Sequence, residues 1–404
     1  METFYDAIKV GAQMKVVNRK TAGNKTGRKK VPFIFFWGIF FVFFAGIFVA
    51  FLLYGQKSLP PVYEEIYTSS PDIKKEIKII DYALYDALYK NRIKTKNVVF
   101  YDVKTIHKNN LVWNFTNVLI KCPDYRSAKR LKRFIYALSG RDKKITVRML
   151  SSSDSMATFV VSVQGHRTHK ISIKLKGCFL SARKKKPKIA IIIDDLGYNK
   201  DIAHSFIESG VPLTLSVFPL APFTHAICLD AAAHGCNVML HLPMEPKGYP
   251  RVRPGPGALF LHMPNKKMRQ ILRQDLKAVP YACGVNNHMG SAFTECKDKM
   301  LVVLKELKRH GLFYVDSRTS ALTVGFKLAE QLGIPSAQRN VFLDNDTDEK
   351  SIRIQMERLF SMARHKGMAI GIGHPYVETL EVIRRYAPRL KENFDVVPVA
   401  ELVH

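Results

Sequence analysis

Lys188-Ile-Ala-Ile-Ile-Ile-Asp-Asp-Leu-Gly197 decides how the chain folds. An apolar run with no polar alternation reads as a strand buried on both faces, the kind found in parallel sheets covered by helices. The pattern repeats downstream. Further strand candidates are Leu213 to Phe218, Asn237 to Leu242, Gly284 to Asn287, Leu312 to Val315, Val341 to Leu343, Met368 to Ile372 and Asp395 to Val399. Helix-period stretches lie between most of them, at Asp201 to Ser209, Phe223 to His234, Lys266 to Lys277, Lys299 to His310, Val324 to Leu332, Asp348 to Arg364 and Val377 to Leu390. Strands alternating with helical crossovers predict an α/β domain over 188–404, built on a parallel sheet closed as a barrel or laid out as a doubly wound layer. Either architecture puts its site at the C-terminal ends of the strands.

Those ends are rich in polar chemistry. Asp194-Asp195 follows the first strand, and His241-Leu-Pro-Met-Glu245 the third. Asn286-Asn287-His288 ends the fourth, Asp316-Ser317-Arg318 the fifth, Asp344-Asn345-Asp346 the sixth, and His374-Pro375 the seventh. Two adjacent carboxylates at the end of a buried strand are costly unless they are paired, protonated or bound to a cation. Two His with one carboxylate form a usual three-ligand set for a catalytic divalent metal such as zinc, with water in the open position. Glu245, Asp316 and Asp344 read equally well as site residues or as structural hydrogen-bonding partners.

Upstream, the chain divides by charge. Pro32 to Gln56 carries no charged residue, and Phe33 to Tyr54 is apolar throughout. At 1.5 Å per residue that stretch covers the roughly 30 Å hydrocarbon core of a bilayer, which predicts a transmembrane helix over 33–54. Eight Lys or Arg precede it against Glu2 and Asp6, so the basic tail 1–32 is expected in the cytoplasm and the rest outside it. A stem (55–71) leads to a small α+β domain (72–180), with a helix apolar at Ile73, Ile77, Ile80, Leu84 and Leu88 and capped by Asp72. Its strands are expected at Asn97 to Tyr101, Leu111 to Lys121, Lys144 to Leu150, Ala157 to Gln164 and His169 to Leu175, with a helix at Tyr125 to Leu138. His107, His166 and His169 read as loop or strand-surface residues. A basic linker (181–187) joins this domain to the strand at Lys188.

The net charge is +29, and residues 55–187 carry 28 basic against 10 acidic side chains. Outside the cytoplasm that excess reads as a solvated, solubilising surface, or else as an attractor of anionic lipid head groups or acidic glycans rather than of nucleic acid. The six cysteines include no CxxC pair, so no zinc or disulfide framework is legible in them.

Residues 188 to 402 resemble the divergent polysaccharide deacetylases, a branch of the NodB-type carbohydrate esterases of bacterial envelopes. The matching stretches are Ile192-Ile-Asp-Asp-Leu-Gly197, His241-Leu-Pro-Met-Glu-Pro246, Asn287-His-Met-Gly-Ser291, Val315-Asp-Ser-Arg-Thr319, Phe342-Leu-Asp-Asn345 and Ile372-Gly-His-Pro375. The resemblance implies a deformed (β/α) barrel of the NodB type, an inner-membrane protein with periplasmic domains, and a substrate that is an envelope polysaccharide or peptidoglycan-like glycan. It also implies roles: Asp194 as general base, Asp195 as metal ligand, His374 as general acid. The superfamily's usual second His of its HxxxH pair is Glu245 here, and its Arg-containing third motif is replaced by Asn286-Asn287-His288. His288 is therefore expected to complete an Asp195, His241, His288 site, most simply for Zn2+, with Asp316 or Arg318 orienting or tuning one of the reacting groups. The expected activity is metal-dependent removal of N-acetyl groups. The rival reading is a catalytically silent glycan-binding or scaffold module on the same fold.

Overall fold

The computed structural model describes residues 71–108, 111–140, 142–153, 155–175 and 186–404. The expected tail, membrane helix and stem up to residue 70 lie outside the described residues, as does most of the basic linker. Among the described residues no helix is long and apolar enough to cross a membrane.

Helix α1 (Pro71–Lys90) opens the described residues, and Asp72 lies within it rather than at its cap. Its residues Ile73, Ile80, Leu84 and Leu88 are buried, and Ile77 packs beside them. There follow β1 (Val98–Lys108), β2 (Leu111–Cys122), α2 (Tyr125–Ala137), β3 (Ile145–Ser152), β4 (Met156–Val163) and β5 (His166–Leu175). The Asp124 side chain accepts from the Ser127 N–H at 2.7 Å and so starts α2. The sheet order is β1-β2-β5-β4-β3. Its ladders are antiparallel except β2 with β5, which run parallel because α2, β3 and β4 supply the crossover between them.

The second half runs β6 (Lys188–Leu196), α3 (Lys200–Ile207), β7 (Thr214–Val217), α4 (Thr224–Ala233), β8 (Asn237–Met244), α5 (Asn265–Ala278) and β9 (Ala282–Met289). It continues with α6 (Lys297–Arg309), β10 (Phe313–Asp316), α7 (Gly325–Gln331), β11 (Ser336–Gln338), β12 (Val341–Phe342), α8 (Glu349–Lys366), β13 (Met368–Gly373), α9 (Val377–Asn393) and β14 (Asp395–Val396). All its ladders are parallel, in the order β11-β10-β9-β8-β7-β6-β13-β12, with β14 on the start of β6. No ladder joins β11 to β12, so the expected barrel is an incomplete one. Strand β6 is buried from Ile189 to Leu196, as its apolar run requires.

Two expectations need correction. The strand at Ser336–Gln338 was not foreseen, since Ser-Ala-Gln has no apolar run to announce it. The expected strand Asp395 to Val399 stops after two residues, because the chain turns into a 3₁₀ segment at Val399–Glu401 and the Val399 N–H donates to Thr214 Oγ1 at 3.0 Å instead of extending the ladder on β6.

Both sheets share one continuous apolar core. Polar contacts reinforce it along α8: the Phe100 N–H donates to Ser361 Oγ at 3.0 Å, and that hydroxyl donates to the Val98 carbonyl at 2.6 Å. Arg358 donates from Nη2 to Asp81 Oδ1 at 2.5 Å. His169, expected on a strand surface, is instead fully buried, held between Asp81 at 3.2 Å and the Thr168 hydroxyl at 3.0 Å. A buried imidazole is tolerated because both ring nitrogens are bonded. His166 packs on the Trp113 ring, and the His107 side chain lies outside the described residues.

Candidate metal centre

Strand β6 ends on a register shift between Ile193 and Leu196, and Asp195 has φ of 58°. Successive strand residues normally face opposite sides. A bulge re-aims them, and here it brings Asp194 and Asp195 to one site. The turn that follows needs glycine at 197, which has φ of 139° and where a Cβ would stand 2.6 Å from the Ala221 Cβ. Met289 and Arg318, at the ends of β9 and β10, also have positive φ. Non-glycine residues in this conformation store strain, and in this domain three of them gather on the rim that carries the polar residues.

Asp195, His241 and His288 are buried, and one ligand atom from each lies within 4.8 Å of the others. Asp195 Oδ1 is 2.8 Å from His241 Nε2 and 2.9 Å from His288 Nδ1. Both carboxylate oxygens of Asp195 are buried without a hydrogen bond, and Oδ1 stands at ion-pair distance from the two imidazoles. A buried carboxylate held against two imidazole nitrogens with no hydrogen bond to either is costly. A divalent cation among the three ligand atoms removes that cost, so the donor set fits the metal that the sequence implies.

A second layer fixes these ligands. Asn286 donates through Nδ2 to both oxygens of Asp194, at 2.8 and 3.0 Å, which turns its Oδ1 toward His241. That oxygen accepts from His241 Nδ1 at 2.8 Å and from the Ser216 hydroxyl at 2.6 Å. Nε2 of His241 is left as the ligating atom. His374 is built the same way: Asp344 Oδ1 accepts from its Nδ1 at 2.9 Å, and Asp344 Oδ2 accepts from its backbone N–H at 2.6 Å and from Thr379 at 2.7 Å. Nε2 of His374 then points to the cluster, 3.8 Å from Asp195 Oδ2. Phe218 packs on both His241 and His288, and Phe342 stacks on His374, so the imidazoles stand in apolar walls.

These surroundings set the charges. Burial pushes the Asp194 carboxyl up, against the pull of His241 and His374. Burial works on Asp195 too, but His288 and His241 outweigh it and hold that carboxyl below the usual range. Burial holds His288 below an ordinary imidazole, which suits a neutral ligand. For His374 burial favours the neutral ring, yet the Asp344 carboxylate overcomes it and raises the group to about 10.

The other candidates do different work. Both Asp316 oxygens are committed to its own turn, Oδ1 to the Arg318 N–H at 2.8 Å and Oδ2 to Thr323 and the Phe326 N–H at 2.7 and 3.0 Å. Asp316 therefore holds the rim loop through both of its oxygens. Glu245 likewise accepts from the Leu261 N–H at 2.6 Å and anchors a loop. Arg318 lines the cleft above the cluster and donates to Gln338 at 2.8 Å. The bridging role of Asn286 was not legible beforehand, although it stands beside His288 at the end of β9.

The sequence profile of the divergent polysaccharide deacetylases matches residues 191–403. The chain belongs to that family. Among curated proteins it is similar to the uncharacterized protein YibQ of Escherichia coli K12, 32% identical over 217 residues that span 54% of this chain and 67% of that one. An uncharacterized protein of Haemophilus influenzae is 31% identical over 215 residues, 53% of this chain and 76% of the relative. Among solved structures, the uncharacterized protein ATU2773 of Agrobacterium tumefaciens C58 superposes with a TM-score of 0.53 at 25% identity, covering 55% of this chain and 92% of that one. The family matches stop short of the α1–β5 half.

Proposed function

We propose that the chain is a metal-dependent hydrolase that removes N-acetyl groups from an envelope polysaccharide. The observation that carries this reading is the buried Asp195 carboxylate, without a hydrogen bond, set against His241 and His288, with Asp194 next to it in the strand and His374 Nε2 3.8 Å from its Oδ2. A bound divalent ion, most simply Zn2+, would supply Lewis-acid polarisation of the amide carbonyl and a water of lowered pKa. Asp194, held by Asn286, takes the proton of the attacking water as the new C–O bond forms. His374, kept protonated by Asp344, gives its proton to the amine nitrogen as the C–N bond breaks, so acetate and a free amino sugar leave. Phe218 and Phe342 keep bulk water off the imidazoles.

Metal content tests the ligand set. Asp195→Ala, His241→Ala and His288→Ala should each lower bound zinc by at least about tenfold, since three protein ligands leave no redundancy, whereas His374→Ala should leave it near normal. A full chain that takes up no metal on titration would remove the chemistry.

We further propose that residues 33–54 anchor the protein in the inner membrane with the N-terminus cytoplasmic and the catalytic half periplasmic. The uncharged apolar stretch behind eight basic residues supports this. A reporter fused after His404 should be active only in a periplasmic format; cytoplasmic activity would reverse the topology.

A further inference from the structure

A cleft of about 310 Å³ opens above the ligand cluster, with Asp194, His241, His288 and His374 on its lining. One wall follows α8 through Ser351, Gln355, Arg358, Met362 and Lys366. Those residues recur every three or four positions on one helix face, and at 1.5 Å per residue the stripe is roughly 22 Å long. The remaining lining is shared between the two halves: Lys74, Lys78 and Asp81 of α1 and Trp113 and Asn114 of β2, all outside the stretch the family profile matches, join Ser317, Arg318 and Gln338 of the incomplete barrel.

Charge on the lining does not cancel. Asp81 is taken by Arg358, and Asp346 by Lys78 at 3.5 Å and Lys74 at 3.9 Å. Arg318 and Lys366 line the cleft and, among the described residues, pair with no carboxylate. Two buried donors on the lining, Ser317 Oγ and Arg358 Nε, have no partner.

We propose that this cleft holds an extended glycan bearing carboxylate groups, with α1 and β2 contributing to its lining and Arg318 and Lys366 as its charge contacts. This rests on the reading that the rim acts on a glycan, and it adds the substrate's charge and the role of the α1–β5 half. A neutral glycan would meet the amides of the lining but leave the cationic excess unmatched. The length of the α8 stripe argues for a polymer rather than one sugar.

Binding of the full chain to a polygalacturonate oligomer and to a neutral N-acetylglucosamine hexamer tests the assignment. The acidic oligomer should bind at least about tenfold more tightly at low salt, and the difference should shrink as salt screens the contacts. Lys366→Glu, on an exposed position, and Arg318→Glu should each weaken acidic-oligomer binding about tenfold and leave the hexamer within about twofold. Arg133→Glu, exposed on α2 and off the cleft, should change neither. Equal affinity for the two glycans overturns the proposal. So does an Arg133→Glu loss as large as that of Lys366→Glu, which would mean diffuse surface charge, or displacement of the oligomer by anionic lipid vesicles from wild type and Lys366→Glu alike. Acetate release and metal content are read on the same samples. Intact acidic-glycan preference without acetate release sinks the deacetylase reading alone, and acetate release without that preference sinks the cleft assignment alone.

Discussion

His241 donates from Nδ1 to Asn286 Oδ1 at 2.8 Å, and this bond selects Nε2 as the nitrogen that faces Asp195. The same amide holds Asp194. Asn286→Ala should therefore weaken zinc binding about 10- to 100-fold while leaving the ligands themselves in place. Zinc titration of the full chain checks this, and an unchanged affinity would show that the ring is oriented by Phe218 packing instead.

Asp344 touches no reacting atom; it positions His374. Asp344→Asn should retain metal and glycan binding and lower the turnover of acetate release by about 10²-fold, the order expected when a general acid is disabled. A fall in glycan affinity with turnover intact would assign Asp344 to the fold of the β13 end alone.

Asp275 on α5 is buried with neither carboxylate oxygen bonded, and burial pushes its pKa up to about 8. In the unfolded chain an aspartate titrates near about 3.9. The raised folded value means that its contribution is fully present below about pH 4 and is lost as pH rises through about 8. Asp275→Asn should stabilise the protein by roughly 5 kcal/mol at pH 8 and by almost nothing below pH 4. Denaturant unfolding at the two pH values measures the difference; the same increment at both would mean that the carboxyl does not titrate in this range.

Asp81 and Arg358 join α1 to α8 in the interior, with His169 on the same carboxylate. Asp81→Ala leaves a buried guanidinium uncompensated and should cost about 3–5 kcal/mol. Asp81→Leu combined with Arg358→Met should cost much less than either charge-stranding single change, because no charge is then left alone. Denaturant unfolding of the set distinguishes a paired charge from mere loss of packing.

Why the sequence told so much of this fold is visible in β6. A strand buried on both faces must be apolar along its whole length, so Ile189 to Ile193 announced itself, and the polar residues where such strands stop marked the rim. Asp195, His241 and His288 were legible for that reason. Ser336–Gln338 was not, since a short polar strand has no periodic signature and forms only because β10 is there to pair with it. Asn286 was marked only as part of the polar strand end Asn286-Asn287-His288; its role as the amide that joins Asp194 to His241 appears once these partners, far apart in sequence, are placed. The burial of His169 likewise depends on Asp81, 88 positions away.

Acetate released from N-acetylated envelope glycans by the full chain and by Asp194→Asn, at matched zinc loading, tests the central claim most directly. The account predicts turnover by the wild type and a fall of at least about 10²-fold in Asp194→Asn with metal and glycan binding retained, since the substitution keeps shape and removes the basic carboxylate. No release by a zinc-loaded wild type from any of a broad glycan panel, or equal release by Asp194→Asn, would contradict it.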